Sequence, residues 1–383
     1  MRRDLFTSEH DEFRLLVRDF VKQKIVPDYA DWERAGLMPR EIFGAMGDLG
    51  MLGIALPQEY GGAGLRDYRF NMVLQEEAAR ALVTLGTVRT QLDVILPYFL
   101  EYADAAQRER WFPGLAAGRL LTAIAMTEPG TGSDLAGMRT RAVRDGDDYI
   151  LNGAKTFITG GLHADLIIVV ARTATDPENR RAGLTLLVVE DGMAGFTRGR
   201  MLEKLGCKVQ DTMELNFDNV RVPQANRLGE DGAAFGYLGR NLPQERITVA
   251  VGSVAQAGAA IAATVDYVKQ RKAFGTPVSS FQNTKFELAA MSAEVEAAQA
   301  MADRAVSELV EGRLSGADAA RVKLFCTEVQ GRVVDRCLQL FGGYGYMLEY
   351  PIARLYADAR VARIYAGTSE VMKLIVAREL GLS

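Results

Sequence analysis

The spacing of apolar residues changes twice along this 383-residue chain, and the order of those changes restricts the fold more than any single motif. From residue 8 to about 120, Phe13, Leu16, Val17 and Phe20 recur at intervals of three and four, as one buried face of a helix requires. Pro57, Gly61, Gly62 and Gly64 interrupt this regime as a loop, and helices resume through Met72 to Leu82. From about 121 to 232 short β-branched runs take over, such as Leu166 to Val170 and Leu184 to Val189, bounded by turn residues. Asp145-Gly146-Asp147-Asp148 reads as a hairpin turn, and Met213 to Phe217 as a strand ending at Asp218-Asn219. After 233 long helices return, with Pro243 suited to a first turn and no proline from Glu245 to Lys269. Helix, strand, helix in that order is not what a doubly wound α/β fold gives. The expected class is α+β: an N-terminal helical domain over 1–120, a middle β-barrel domain of roughly eight strands over 121–232, and a C-terminal helical domain over 233–383.

Composition narrows the function. Apolar residues make up 48% and charged residues 25%, as in a soluble globular chain. A net charge of −4 lacks the basic footprint of a nucleic-acid binder. The N-terminus has no apolar leader core, and no membrane span is expected, so the default location is cytoplasmic. Cys207, Cys326 and Cys337 form no CxxC pair and no metal spacing; they read as core thiols, the last two sharing a helical stripe. With only His10 and His163 present, histidine-based catalysis is poorly supplied, and both are expected to be exposed or structural.

Three segments carry chemistry. Glu128-Pro129-Gly130-Thr131-Gly132-Ser133-Asp134 follows a strand, and its small residues let backbone N–H groups approach a polarised ligand, unless it is an ordinary glycine turn. No βαβ unit surrounds it, so it is not a dinucleotide fingerprint. Lys155-Thr156-Phe157-Ile158-Thr159 alternates so that Phe157 and Thr159 share a face, either half of a core strand or a platform for a flat ligand. Arg271-Lys272-Ala273-Phe274-Gly275 ends a long helix, where cations also suit the dipole.

Together with Ile364-Tyr365-Ala366-Gly367-Thr368-Ser369-Glu370, these segments resemble the signature of the acyl-CoA dehydrogenases, which are FAD enzymes. The resemblance covers essentially the whole chain and implies that family's fold, with a C-terminal four-helix bundle. It implies that Met126, Thr127, Gly132, Ser133, Phe157, Ile158 and Thr159 meet the flavin, with phenylalanine at 157 where many members have tryptophan. It gives Arg271 to the pyrophosphate and Phe274 to the adenosine, with Phe281, Gln282, Gln339, Gly342 and Gly343 alongside, often across a subunit interface. A homo-oligomer follows, tetramer rather than dimer. Gly367, Thr368 and Glu370 return to the flavin side, and Ser133, Leu242, Arg246 and Gly367 flank the substrate.

The departure is Ala366. Most members carry the catalytic glutamate directly before the Gly-Thr pair, and alanine has no base to offer. A branch that includes the long-chain and isovaleryl enzymes carries its base on an earlier helix, and Leu242-Pro243-Gln244-Glu245-Arg246 most resembles the long-chain members. The resemblance therefore implies Glu245 as base and the Ala366 backbone N–H as a donor to the thioester oxygen. Placement near a helix start would keep Glu245 ionised, whereas an apolar tunnel would raise its proton affinity. The implied reaction is α,β-dehydrogenation of an acyl-CoA, with electrons passed to an electron-transfer flavoprotein. A carrier-protein-bound or atypical acyl thioester, an inactive flavin-binding partner and a flavin monooxygenase remain as alternatives. Among Leu92, Ile95, Leu96, Tyr98 and Phe99, core packing is expected over tunnel lining.

Overall fold

The structure is a computed structural model and describes residues 2–382. The N-terminal part holds α1 (Ser8–Phe20), α2 (Tyr29–Ala35), α3 (Arg40–Asp48), α4 (Tyr68–Arg80), α5 (Leu96–Tyr102) and α6 (Ala105–Ala116). A π-helical segment, Thr90–Ile95, leads directly into α5. Asp104 starts α6 with a capping box: its carboxylate accepts from the Gln107 N–H at 2.8 Å, and Gln107 Oε1 accepts from the Asp104 N–H at 3.1 Å. His10 is buried and structural, taking the Thr7 N–H on Nδ1 at 3.1 Å and facing Asp67 with Nε2 at 3.3 Å.

Eight strands form the middle part: β1 (Thr122–Ala125), β2 (Arg141–Asp145), β3 (Asp148–Thr159), β4 (Leu166–Arg172), β5 (Leu184–Glu190), β6 (Phe196–Met201), β7 (Thr212–Pro223) and β8 (Arg227–Leu228). They pair in the order β6-β7-β3-β2-β4-β5-β8, with β1 parallel to β4. β4 shows why its sequence is an unbroken apolar run. Ile167, Val169 and Ala171 enter the sheet's own core, while Leu166, Ile168 and Val170 pack into the N-terminal helical core. Both faces are dry, so alternation disappears. The hairpin at 145–148 is present, with Asp145 opposite Asp148 and Gly146 at φ 62°.

The strand expected to end at Asp218-Asn219 instead runs on to Pro223. Asn219 adopts a left-handed conformation, φ 51°, and its N–H donates to Asn152 Oδ1 at 2.9 Å. The irregularity is absorbed as a bulge in the β3–β7 ladder, after which pairing resumes at Val220.

The C-terminal part contains α7 (Ala234–Gln270), the small hairpin β9 (Lys272–Ala273) and β10 (Thr276–Pro277), then α8 (Gln282–Val310), α9 (Gly316–Phe341), α10 (Pro351–Ala359) and α11 (Ser369–Glu379). Ala250, Ala257 and Ala260 of α7 meet Ala298, Ala302 and Ala305 of α8 and Val322, Cys326 and Val333 of α9 in one core. Small side chains let these axes approach closely. An 18-residue window of α7 reaches a mean hydropathy of 1.5, as apolar as a membrane span, but over half of it is buried within the protein as a core helix. Cys326 and Cys337 are buried in the same core, and Cys207 is half-buried at another site.

Pro243 does not open a helix. It lies inside α7, about nine residues after the start, at the cost of the bond its N–H would make to the residue 239 carbonyl. Glu245 therefore sits three turns from the helix start, beyond the reach of the terminal dipole.

Candidate functional site

The Gly-rich turn and the Phe157 strand are knit together by Lys155. This lysine is 1% exposed, and its Nζ donates to the Met126 carbonyl at 2.9 Å and to Glu128 Oε1 at 3.0 Å. One residue on, the Thr156 N–H donates to the Thr127 carbonyl at 3.0 Å. Met126 and Thr127 are thus fixed beside Phe157. The glutamate fixes the other arm of the loop, accepting the N–H groups of Arg139 at 2.7 Å and Thr140 at 2.9 Å. Ser133 lies exposed on the loop, and a Cβ built on Gly130 or Gly132 would meet no atom within 4 Å.

A bulge between Lys155 and Ile158 sets Phe157 at φ 58° and leaves it 67% exposed between two buried residues, Thr156 and Ile158. Thr159 is half-exposed, so Phe157 and Thr159 are the accessible pair and Ile158 belongs to the core. An uncovered aromatic, a nearby hydroxyl and free loop N–H groups fit the flat ring of a flavin.

The other predicted flavin residues gather on the C-terminal domain. Arg271, Gln339, Gly342 and Gly343 line one cleft with Tyr267 and Tyr344. The Arg271 guanidinium carbon lies 5.3 Å from the Tyr344 ring centroid. Phe274 occupies the β9–β10 turn at φ 52° with Gly275 at φ 80°, and it is 97% exposed. Phe281, just before Gln282, touches Phe274 edge-on with centroids 6.3 Å apart. A phenylalanine displayed on a strained turn is poorly explained by the packing of one chain. The cation and the open cleft fit the diphosphate end of FAD.

Glu245 is 6% exposed on α7, and its Oε1 accepts one hydrogen bond, from the Tyr98 hydroxyl at 2.9 Å. Burial pushes its carboxyl up to about 7, against the pull of Tyr98 and the neighbouring Arg246. Arg246 is also buried. Its Nη1 donates to the Gly316 carbonyl at 3.3 Å, and its Nε has no partner among the described residues. Leu242, one turn before, is half-buried.

Ala366 sits at φ 52° and Gly367 at φ 94°, forming a left-handed turn whose Ala366 N–H makes no backbone hydrogen bond among the described residues. α9 grips this turn from beneath. Lys323, with no exposed surface, donates from Nζ to the Gly367 carbonyl at 2.6 Å, while Ser369 Oγ donates to Glu328 Oε1 at 3.0 Å. Burial and the nearby Arg246 lower the Lys323 ammonium to about 8. Lys323 thus holds the Ala366 turn and lies near Arg246, the neighbour of Glu245. Thr368 caps α11, accepting the Val371 N–H at 3.3 Å. Glu370 is exposed in the first turn of α11 and is no rival for a dry base position.

Sequence reasoning assigned no role to Lys155, Lys323, Arg89 or Tyr365, and it weighed Tyr98 only as core or tunnel lining. For Lys155 and Lys323 a signal existed, a lone lysine within an otherwise buried stretch. Leu92, Ile95, Leu96, Tyr98 and Phe99 are all core, as expected; Leu92 also lines a cavity, and the Tyr98 hydroxyl also reaches Glu245.

Comparison with known proteins agrees with this geometry. The chain matches the acyl-CoA dehydrogenase N-terminal domain over residues 7–119, the middle domain over 123–220 and the C-terminal domain over 234–381. It is 43% identical to the long-chain specific acyl-CoA dehydrogenase of Sus scrofa mitochondria, across 99% of this chain and 88% of that protein. The crystal structure of an acyl-CoA dehydrogenase from Geobacillus kaustophilus superposes with a TM-score of 0.96 at 44% identity, covering 99% of this chain and 100% of that one. A glutaryl-CoA dehydrogenase from Mycobacterium smegmatis, solved in complex with FADH2, superposes with a TM-score of 0.89 at 29% identity, covering 98% and 95%. With all three domains matched in order, and with a site built to take a flavin, the chain belongs to the acyl-CoA dehydrogenase family of FAD-dependent oxidoreductases.

Proposed function

We propose that this enzyme converts a saturated acyl thioester to the trans-2-enoyl thioester with Glu245 as the base. The observation that carries the reading is a buried carboxylate with one hydrogen bond and a proton affinity near neutrality. A carboxylate in water is a feeble base toward a C–H; raised to about 7, it is matched to the working pH. Glu245 takes the α proton, and the C–H electron pair becomes the new α,β double bond. FAD, held by the residues of the Gly-rich loop and the Phe157 strand, would supply the acceptor for the β hydride and its electron pair. As negative charge grows on the thioester oxygen, the Ala366 N–H donates to it, a task that needs no side chain. Lys323 acts as a positioning residue, holding the carbonyl of the same turn. Arg246 limits the cost of ionising Glu245 without neutralising it.

The exposed Phe274 and the Arg271 cleft support an oligomer in which one chain completes its neighbour's flavin site, and we take that oligomer to be a tetramer. An electron-transfer flavoprotein is the natural acceptor, by resemblance to the family. The test is anaerobic mixing of the FAD-loaded enzyme with straight, branched and long acyl-CoAs, following flavin bleaching and identifying the product. A 2-enoyl-CoA formed with one equivalent of bleaching supports the reading. If carrier-bound thioesters alone bleach the flavin, the carrier-protein alternative is correct, and if none does, dehydrogenation is the wrong reaction.

A further inference from the structure

Between α4, the Thr90–Ile95 segment, α7 and the Ala366 turn lies a cavity with about 80 Å³ open to water. Two lining residues relate it to the proposed chemistry. Val249 is one turn beyond Glu245 on α7, and Tyr365 directly precedes Ala366. Glu245 and Ala366 stand outside the lining themselves, and it is through these two neighbours that the cavity adjoins the place where an acyl tail would run. At about 10–15 Å³ for each water-sized site, the space suits a short tail.

Its walls are not those of an alkyl tunnel. Arg89 and Asp93 both line it, one helical turn apart. Asp93 is fully engaged: its carboxylate accepts from Asn71 Nδ2 at 2.6 Å, Gln75 Nε2 at 2.9 Å, the Tyr68 hydroxyl at 3.4 Å and the Thr248 hydroxyl. Arg89 is not. Its guanidinium makes one hydrogen bond, from Nη2 to the Tyr365 hydroxyl at 3.2 Å, and lies 5.3 Å from that ring's centroid. Among the described residues Asp93 acts on it through space, without a direct ion pair. A guanidinium carries five N–H donors and keeps its charge, so the unspent donors face an enclosed space that calls for an acceptor. An alkyl tail would dry those donors and return nothing.

We infer that the acyl group this enzyme accepts is short and ends in an acceptor oxygen, which Arg89 receives beside Tyr365. This rests on the dehydrogenase reading above and adds a specificity-determining residue to it. A hydroxyl and a carboxylate share the required chemistry. Charge balance favours the hydroxyl, because Arg89 already faces two lining carboxylates, Asp93 and Asp358, and a third from the ligand would leave the cavity more negative. The orphaned side-chain oxygens of Gln75 and Gln330, both on the cavity wall, can accept the hydroxyl's proton.

The test uses the FAD-loaded enzyme with matched alkyl, ω-hydroxy and ω-carboxy acyl-CoAs from butyryl to octanoyl length. Wild type is expected to favour an oxygenated series in kcat/KM by roughly tenfold or more, the scale on which a buried polar site rejects an analogue lacking its partner. Arg89→Met should bring that ratio close to one, and Arg89→Lys, which keeps a charged donor, should retain part of it. Whether the hydroxy or carboxy arm leads assigns the form of the oxygen. The inference is overturned if the alkyl series leads in wild type, or if Arg89→Met lowers all three series alike at unchanged FAD content. If no thioester bleaches the flavin, the dehydrogenase reading is what fails. Titration with the corresponding 2-enoyl-CoAs, read from the flavin absorbance, then still decides: equal affinity for the series in wild type overturns the Arg89 subsite.

Discussion

Two glutamates in this molecule are equally exposed, each at 6%, and their chemistry is opposite. Burial pushes the Glu128 carboxyl up, but Lys155 and the N–H groups of Arg139 and Thr140 outweigh it and hold it below the usual range. Burial also pushes Glu245 up, and one tyrosine hydroxyl with a nearby arginine does not reverse it, leaving it at about 7. The first is a fixed charge that knits the Gly-rich loop to the sheet. The second, with its carboxyl raised to about 7, is poised to exchange a proton near neutral pH. What separates the structural carboxylate from the proposed base is therefore the depth of burial together with the number and charge of its donors.

Neutralising each glutamate sharpens the contrast. Glu128→Gln leaves Lys155 buried without its counter-charge, and thermal or denaturant unfolding should show a loss of about 3–5 kcal/mol. Glu245→Gln should move the other way. The Glu245 carboxyl binds its proton more tightly folded, at about 7, than at its ordinary 4.5. Its contribution to stability is thus complete below that ordinary value and is lost as pH rises through about 7. Removing the titration should stabilise the variant by about 3 kcal/mol near pH 8, with no gain near pH 4. A Glu245→Gln variant that is less stable than wild type at high pH would break the comparison.

Tyr98→Phe tests the single donor. Without that hydroxyl the Glu245 anion loses the one hydrogen bond it has among the described residues, so the pH profile of the bleaching rate should move to higher pH by about one unit. An unmoved profile would mean that Tyr98 packs against the site without tuning it. The smallest effect is expected from Lys323→Met. Loosening the Gly367 carbonyl should lower kcat by about tenfold with KM little changed, because the Ala366 N–H matters most as charge develops. A rise in KM at constant kcat would assign Lys323 to ground-state binding instead.

Much of this could be read from the chain because local rules and global packing agree. The turn from helical to two-residue spacing marks the β domain, and the double-faced apolar runs of β4 and β5 follow from a sheet that is dry on both sides. The flavin loop and strand were visible as motifs. The clasp between them was not, since Lys155 looks like any polar residue in an alternating strand until Glu128 is seen 3.0 Å away. Pro243 misled for a definite reason. A proline's local cost favours a helix start, and the burial gained by a 37-residue core helix overrode it. The dipole argument for Glu245 fell with it. The polar cavity stayed hidden because Asp93 faces it from a π-helical segment, and Arg89 from the residue just before, and the wider turn is anticipated by no 3.6-residue pattern.

The most direct measurement is the single-turnover rate of flavin bleaching by the best acyl-CoA in Glu245→Gln, at FAD content equal to wild type. With the base removed but the Tyr98 hydrogen bond still available to the amide oxygen, the rate should fall by about 10²–10⁴-fold. A variant that bleaches as fast as wild type would show that the proton leaves by another route and that Glu245 is not the base.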